Sequence, residues 1–291
     1  MTRLEQLIKE YPVRRIDEQK KAFRDFVLKQ AREKGIEASI EKTSDGKNEN
    51  VVIGDVKNAK AVFTAHFDTP AASLFPNIMI PRNQLIFWLY QFAPLIFIVA
   101  LALGIGYLVG NIILGSYEAF LVIFLVIYYV AYFLGFRVFE NKNNYNDNTS
   151  GVAAVLSIID ELDEKELKNV AFILFDNEEK GKKGSKAYFK DHKEEMKDRL
   201  VINFDCVGYG ENIIFIAMKE AEKTAEYSSL KECFAATDGF TPHFYPIKGS
   251  ESNSDYKNFP AGVGCMASKR TKMGLLYTPR IHTRFDTVAK N

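Results

Sequence analysis

Two long stretches without a charged residue restrict what this chain can fold into. They cover residues 85–109 and 119–136, with a short polar break between them. A helix that spans a bilayer needs about 20 predominantly apolar residues. We therefore predict two membrane-spanning helices joined as a hairpin over residues 83–136, inserted into one domain made of residues 1–82 and 137–291. The alternative is a buried pair of helices that forms a lid or a dimer surface.

Charged residues beside the hairpin predict its orientation. Arg82 precedes the hairpin, Arg137 and Lys142 follow it, and the connecting loop carries Glu118 but no lysine or arginine. Loops rich in lysine and arginine usually stay on the cytoplasmic side. The N-terminal residues also lack the apolar core of a signal peptide. We expect an integral membrane protein with two spanning helices, whose larger domain lies in the cytoplasm.

Charge and cysteine content exclude two other classes of site. The 291 residues have a formal net charge of +1, and no basic block is combined with aromatic residues, so we expect no nucleic-acid partner. The three cysteines, Cys206, Cys233 and Cys265, are far apart and form no Cys-x-x-Cys pair. We therefore expect them to be reduced thiols and not zinc ligands.

Three apolar runs that are typical of buried strands each end in reactive polar residues. The runs cover residues 61–64, 169–175 and 200–204, and helical patterns separate them. This alternation predicts an α/β sandwich, in which ligands bind at the carboxyl edge of the sheet. The side chains expected at that edge are His66, Asp68, Glu178, Glu179 and Asp205.

Two more residues extend this set towards a metal site. Asp147 lies just before a short apolar helix, and His282 lies near the end of the sequence. Two histidines with several carboxylates and no thiolate suit zinc or manganese. So many converging acids would repel one another unless cations separate them. A pair of metal ions roughly 3.5–4 Å apart, bridged by one carboxylate and by water or hydroxide, meets that need.

Such a metal pair would equip the site for amide hydrolysis, because it acidifies the bridging water and polarises a carbonyl. One further carboxylate must stay off the metals to carry the proton to the leaving amine. Glu178 and Glu179 offer both roles, since neighbouring side chains of an extended segment point in different directions. Singly, these residues have ordinary explanations: the two glutamates as a solvated turn, and His282 as a buried histidine with a hydrogen-bond partner.

Ordered motifs along the chain carry a resemblance to a known family. They are His66-Phe67-Asp68, Asp147-Asn148-Thr149-Ser150-Gly151, Glu178-Glu179-Lys180-Gly181-Lys182-Lys183-Gly184-Ser185, Phe204-Asp205, Ser254-Asp255 and Ile281-His282-Thr283-Arg284-Phe285-Asp286-Thr287. By these motifs the chain resembles the co-catalytic di-zinc aminopeptidases of clan MH, the leucyl aminopeptidase-like and glutamate carboxypeptidase-like zinc peptidases. The resemblance implies a three-layer sandwich with a mostly parallel, mixed central sheet, as in zinc-dependent exopeptidases and phosphorylase/hydrolase-like proteins. It covers nearly everything except the hairpin, which stands where soluble members have only a loop.

The resemblance also implies a set of metal ligands. Asp147 would bridge two zinc ions, with manganese or cobalt as alternatives. His66 and Asp205 would complete one metal site, and Glu179 and His282 would complete the other.

Further roles follow from the same resemblance. Glu178 would act as general base and then general acid, and Asp68 would orient His66. Asp255 would support the site from nearby, whereas Asn148 is adequately explained as a helix cap. Members of the family usually continue beyond the last motif with a helix on the sheet, so we expect this chain to lack that helix or to be a shortened product.

The sequence thus favours a membrane-anchored di-zinc metallopeptidase, specifically an aminopeptidase that removes N-terminal residues from peptides. Its expected partners are a peptide substrate and, through residues 83–136, the lipid bilayer; the sequence leaves a homo-oligomer open. One alternative is a related metal-dependent amide hydrolase or an enzyme like glutaminyl cyclase. Another is a non-catalytic membrane scaffold on the same fold.

Overall fold

A central β-sheet organises the chain. The structure, a computed structural model, describes residues 1–75, 77–136, 139–235 and 241–287. Its strands are β1 Ala38–Lys42, β2 Glu49–Ile53, β3 Ala61–His66, β4 Ala71–Ala72, β5 Ile78–Met79, β6 Phe139–Glu140, β7 Val170–Phe175, β8 Leu200–Phe204, β9 Asn212–Ala217, β10 Thr241–Pro246, β11 Gly262–Arg270 and β12 Leu276–Pro279. Its helices are α1 Arg3–Glu10, α2 Asp17–Glu33, α3 Gln84–Gly106, α4 Tyr117–Phe136, α5 Gly151–Glu161, α6 Glu164–Leu167, α7 Lys183–Asp191, α8 Lys193–Met196 and α9 Ala225–Ala235.

The main sheet is mixed, with parallel strands at its centre. Its described strands follow the order β1-β2-β7-β3-β8-β11. Strand β9 pairs with β11, and β10 pairs with β9. The last residues of β11 pair with β12, which in turn pairs with β5. The pairs β7–β3, β3–β8 and β8–β11 are parallel, whereas β2–β7 and β11–β9 are antiparallel. The predicted α/β class with a mostly parallel, mixed sheet is confirmed.

Successive side chains of β7 point to opposite faces of the sheet, and both faces are covered, which explains why its sequence is apolar without a break. Phe172 and Leu174 pack on one side of the sheet, in a core that helices α1, α2 and α5 share. Ile173 and Phe175 pack on the other side, where Tyr188 of α7 covers them. A strand that is covered on both faces has no solvent-facing position for a polar residue. The result is three layers, with the sheet between helices.

The two apolar stretches form helices, as predicted. Helix α3 continues through a π-helical segment, Tyr107–Ile113, so that the helical stretch covers Gln84–Ile113, and α4 returns beside it. Both helices are long and apolar enough to cross a membrane. Only 17% and 6% of their most apolar windows are buried within the described chain, so the helices are not part of its core.

Small residues let these two helices approach each other closely. A Cβ atom added at Gly110 would lie 2.3 Å from the backbone N and Cα of Phe120, which is closer than real atoms come. At the other end of the pair, the N–H of Leu74 donates to the carbonyl of Gly135 at 2.9 Å. The short strands β4 and β6 also pair there. The two ends of the hairpin therefore return to one place. Arg137, on which the predicted orientation partly depends, lies outside the described residues.

We predict that Gly110→Ala separates the two helices, because its methyl group would meet backbone atoms of Phe120. The expected loss is about 1–3 kcal/mol, as for other overpacked contacts. Thermal unfolding in detergent micelles, followed by far-ultraviolet circular dichroism, measures it. Gly104→Ala is the matched control, since a Cβ there meets nothing within 4 Å. Equal melting of the two variants would contradict the close contact.

Candidate metal centre

The three central parallel strands bring their carboxyl ends, and the polar residues that follow, to one edge of the sheet. His66 is the last residue of β3. Glu178 and Glu179 follow the neighbouring β7, and Asp205 follows β8 on the other side. The turn after β7 is sharp, since Asn177 has a φ of 55°, in the left-handed region. Strand order alone therefore explains why these residues meet.

Asp147 lies between the two histidines. One of its carboxylate oxygens, Oδ1, is 3.3 Å from His66 Nε2, and the other, Oδ2, is 2.8 Å from His282 Nε2. Asp205 Oδ2 approaches His66 Nε2 at 4.0 Å, and Glu179 Oε2 approaches His282 Nε2 at 3.5 Å. Each oxygen of Asp147 thus faces one histidine and one further carboxylate. Asp147 is therefore common to two groups of potential metal ligands.

The donor atoms fit divalent metal ions. One atom each from His66, Asp147 and Asp205 lies within 4.8 Å of the others, and the same holds for Asp147, Glu179 and His282 and for His66, Glu178 and Glu179. Glu179 Oε1 is buried and has no hydrogen-bond partner among the described residues. A buried acceptor without a donor is costly, and a cation would satisfy it. Nitrogen and carboxylate donors without thiolate are a normal set for zinc.

The pKa values of the clustered acids and histidines are shifted by burial and by their mutual charges. Burial raises the pKa of Glu179 to about 8, against the opposing effect of His282. Burial opposes the charged form of His282, but Glu179 and Asp147 outweigh it and raise its pKa to about 10. Burial likewise opposes ionisation of Asp147, yet His282 and His66 hold the pKa of its carboxyl well below the usual range. The acids and histidines of the cluster thus shift one another's pKa values strongly, because they lie close together and away from water.

Asp68 contacts the site through two different groups. Its main-chain oxygen is 3.1 Å from His66 Nδ1, a hydrogen bond that fixes the imidazole with Nε2 towards Asp147. Its carboxylate is farther from that nitrogen, at 3.6 Å. Instead the carboxylate accepts the backbone N–H groups of Glu178 at 2.9 Å and Glu179 at 3.2 Å. Asp68 therefore holds both the histidine and the segment that carries the two glutamates.

Asp286 holds Asp147 in the same way, a role that the sequence did not indicate. Its two carboxylate oxygens accept the backbone N–H of Asn146 at 2.9 Å and of Asp147 at 3.0 Å. It is buried, and burial raises its pKa to about 7. In the sequence, only its position four residues after His282, in the same motif, could have indicated that Asp286 supports the site.

Asn148 does more than cap a helix. Its side-chain oxygen accepts the N–H of Gly151 at 3.1 Å, as a cap does, but also the N–H of Cys206 at 3.3 Å. Its amide donates to the carbonyl of Phe204 at 3.0 Å. Asn148 thus joins the start of α5 to the end of β8, next to Asp205.

Two buried cations also support the edge of the sheet, and neither was recognised from the sequence. Lys20 Nζ lies 2.6 Å from Asp176 Oδ1 and 2.7 Å from Asn177 Oδ1, which anchors the turn before the glutamates. Arg14 donates to the carbonyl of Phe67 and, at 3.0 Å, to the hydroxyl of Thr149. Lys20 is a residue of α2, and Arg14 lies in the loop before it, over the ring of Phe23. In the sequence both look like ordinary surface charges.

Asp255 lies beside the cluster but belongs to none of the groups of potential metal ligands found among the described residues. It is fully buried, the hydroxyl of Ser185 donates to its Oδ1, and its Oδ2 has no hydrogen-bond partner within the described ranges. Burial raises its pKa to about 7, and His66 opposes that shift. These contacts agree with a supporting position.

His282 is delivered by the loop after β12 in a strained backbone conformation. Its φ of 56° is in the left-handed region, which costs a residue other than glycine on the order of 1–3 kcal/mol. The N–H of Ser73 donates to the carbonyl of His282 at 2.6 Å. The hydroxyl of Ser73 in turn donates to the carbonyl of Gly135, at the end of α4, at 3.1 Å. One residue therefore links this histidine to the base of the hairpin.

A cavity of about 580 Å³ opens onto the cluster. Asp147, Glu178, Glu179, Asp205 and His282 line its polar side. A space of this size takes a small ligand, so that a reacting group can sit directly against the donor atoms.

The sequence profile of peptidase family M28 matches residues 139–291. No curated protein matches the chain in sequence. Several solved structures are similar in fold, and three of them illustrate this. The LapA aminopeptidase of Legionella pneumophila is 14% identical with a TM-score of 0.56, and the alignment covers 98% of this chain and 62% of LapA. A Zn-dependent exopeptidase from Parabacteroides distasonis is 15% identical with a TM-score of 0.56, and the alignment covers 98% of this chain and 88% of the exopeptidase.

The third structure is glutaminyl cyclase of Porphyromonas gingivalis, at 12% identity and a TM-score of 0.55, with coverage of 98% of this chain and 88% of the cyclase. At these identities the likeness is one of fold. The chain spans less than two thirds of the length of LapA.

We predict that Asp286→Asn weakens metal binding, because an amide can accept only one of the two N–H groups that the carboxylate now holds. Loss of such a supporting contact typically costs about 10–100-fold in metal affinity. Competition with a chromophoric chelator measures that affinity. Asp198→Asn, at an exposed aspartate, is the control. Unchanged zinc affinity in Asp286→Asn would show that Asp147 does not need this support.

Proposed function

This chain belongs to peptidase family M28, and from that premise we propose that it is a membrane-anchored, di-zinc aminopeptidase. We assign residues 1–82 and 137–291 to the peptidase domain and residues 83–136 to a membrane hairpin. The observation that supports two ions most directly is Asp147, whose two oxygens face different histidines at 3.3 and 2.8 Å. His66 and Asp205 would hold one ion, and Glu179 and His282 the other.

Zinc bound here would polarise the scissile carbonyl and lower the pKa of the attacking water towards neutrality. The protein must then supply a base that is not a ligand. We assign this role to Glu178, which lines the cavity beside the donor groups; it belongs to the group with His66 and Glu179 but to neither of the groups that contain Asp147. Burial raises the pKa of Glu178 well above its usual value, which suits a group that accepts a proton and returns it to the leaving amine.

Asp68 would keep this base in place. Because its carboxylate binds the backbone N–H groups of both Glu178 and Glu179, it fixes the base relative to the ligand. The main-chain contact to His66 fixes the tautomer of that imidazole, so that Nε2 is free to bind metal.

A carboxylate outside the donor groups favours an aminopeptidase over the alternatives. Glu251 lines the catalytic cavity and belongs to none of the groups of potential metal ligands found among the described residues. It offers a partner for the free ammonium group of a peptide, which a substrate with a blocked N-terminus lacks. An amide hydrolase or a cyclase like glutaminyl cyclase is the second candidate. A non-catalytic scaffold is disfavoured, because every ligand position holds a residue that can bind metal.

If Glu178 is the base and Glu179 a metal ligand, the glutamine variants of these two residues should differ in zinc content. Glu178→Gln should keep both zinc ions but lose about 10²–10⁴-fold in turnover, the usual contribution of a general base. Glu179→Gln should lose zinc as well as activity. Metal content by mass spectrometry and turnover of aminoacyl reporter amides measure the two effects. Near-normal turnover of Glu178→Gln with both metals bound would refute the assignment.

We further propose that the peptidase domain faces the cytoplasm, because Arg82 and Lys142 flank the hairpin on the domain side and Glu118 lies at its far turn. Single cysteines test this in a chain whose exposed Cys233 is replaced by serine. Lys142→Cys should react with an impermeant maleimide in inside-out vesicles, and Glu118→Cys in right-side-out vesicles. The reverse pattern would place the domain outside.

A further inference from the structure

The first helix of the hairpin is longer than its partner. The end of α4 packs beside the middle of α3, because a Cβ added at Gly135 would lie 3.8 Å from Cδ1 of the Ile98 side chain, and Tyr132 of α4 lines one cavity with Phe92 and Leu95 of α3. Residues 84–97 form the part of α3 before Ile98, about 21 Å of helix at 1.5 Å per residue, and its first turns extend past the end of α4. We call residues 84–97 the α3 extension. Since α4 alone is about 30 Å long, it already matches the apolar thickness of a bilayer. The first turns of the extension therefore project past α4 on the domain side of the hairpin.

The α3 extension forms a wall of the catalytic cavity. Phe87, Trp88 and Gln91 line the same cavity as Glu178 and His282. Phe87 is buried, while Trp88 keeps 48% of its surface exposed. The amide of Gln91 donates to Asn77 Oδ1 at 3.3 Å, which attaches the extension to the loop before β5. A segment with the composition of a membrane helix thus supplies side chains within reach of a substrate.

A second cavity, of about 970 Å³, continues from the first along the hairpin. Gln91, Glu179 and His282 line both cavities, so the two form one continuous groove. Away from the metal donors, Phe92 and Leu95 of the extension and Tyr132 of α4 make an apolar wall. The groove therefore runs from the catalytic cluster to the level at which α4 enters the bilayer.

Apart from Asp68 and Glu179 at its catalytic end, the second cavity also has a basic part. Lys180 and Lys183 line it, and both are exposed. A groove with an apolar wall and a basic part suits an amphipathic peptide that places apolar side chains against α3 and neutral or acidic side chains against the lysines. Such a peptide also binds the surface of a membrane through its apolar side. The charge pattern and the position of the groove thus favour the same kind of occupant.

We propose that this groove binds peptides held at the membrane surface, so that the enzyme selects membrane-associated substrates over free peptides. The N-terminal residue enters the catalytic cavity against Phe87 and Trp88, and the following residues run along Phe92 and Leu95. A substrate already lying at the membrane surface is presented in the correct orientation, which reduces the entropy lost on binding. This inference rests on the aminopeptidase function proposed above.

The test uses the full chain in proteoliposomes and two reporter peptides with identical first residues. One peptide carries an amphipathic, acidic tail that binds vesicles, and the other carries the same tail residues in scrambled order so that it stays in solution. We expect kcat/KM to favour the vesicle-bound peptide by at least about tenfold, equivalent to about 1.4 kcal/mol. Equal values for the two peptides would overturn the inference and leave the aminopeptidase function intact.

Matched variants separate binding in the groove from simple concentration of substrate on the vesicle. Phe92→Ala and Leu95→Ala should reduce the preference for the bound peptide towards one. Leu89→Ala and Ile96→Ala are the controls, because these residues lie on the same helix, are 64% and 65% exposed and line neither cavity. They should leave the preference unchanged. A preference that persists in Phe92→Ala and Leu95→Ala would come from concentration alone and would overturn the inference.

Two further outcomes have definite meanings. Slower cleavage of the vesicle-bound peptide would indicate that lipid fills the groove and competes with substrate, which contradicts the proposal. Cleavage of neither peptide by the zinc-loaded chain would refute the aminopeptidase function, and the inference would fall with it.

Discussion

Mutual repulsion among buried carboxylates is the constraint on which the rest of this structure depends. Asp147, Glu178, Glu179 and Asp205 approach one another at one edge of the sheet, together with two histidines. Apolar packing cannot hold such a group together, because each ionised acid that is taken out of water needs a compensating charge. The structure provides compensation through imidazole rings and through donor positions that fit metal ions, while buried Lys20 and Arg14 offset the charges of the neighbouring Asp176 and Asp68.

Backbone N–H groups are the second means by which the protein holds these acids. Asp68 and Asp286 each accept two of them from the segments that carry the reactive residues. A carboxylate that binds two successive N–H groups fixes the direction of the chain and not only its position. The geometry of the site is therefore set before any ligand arrives, which is how supporting contacts of metal sites generally act.

The sequence was sufficient to predict the fold class and to predict which acids and histidines meet at the edge of the sheet. Parallel strands end at one edge, so His66, Glu179 and Asp205 could be brought together from strand positions alone. It was not sufficient for the supporting contacts, because a carboxylate that binds backbone N–H groups, such as Asp286, has no periodic pattern. Hydropathy likewise predicted α3 as a spanning helix, and α3 is long and apolar enough to be one. It did not show that the first turns of α3 lie beyond the end of α4, since that depends on the packing of Gly135 near Ile98.

The position of the hairpin within the chain also constrains the order of biosynthesis. His66 lies before the hairpin, and the other residues assigned as metal ligands lie after it. Strand β3 pairs only with β7 and β8, both of which leave the ribosome after the hairpin has emerged. The central sheet is therefore completed only after the apolar hairpin has been synthesised. If the hairpin anchors the chain as proposed, the metal centre is assembled only after the membrane anchor has been made.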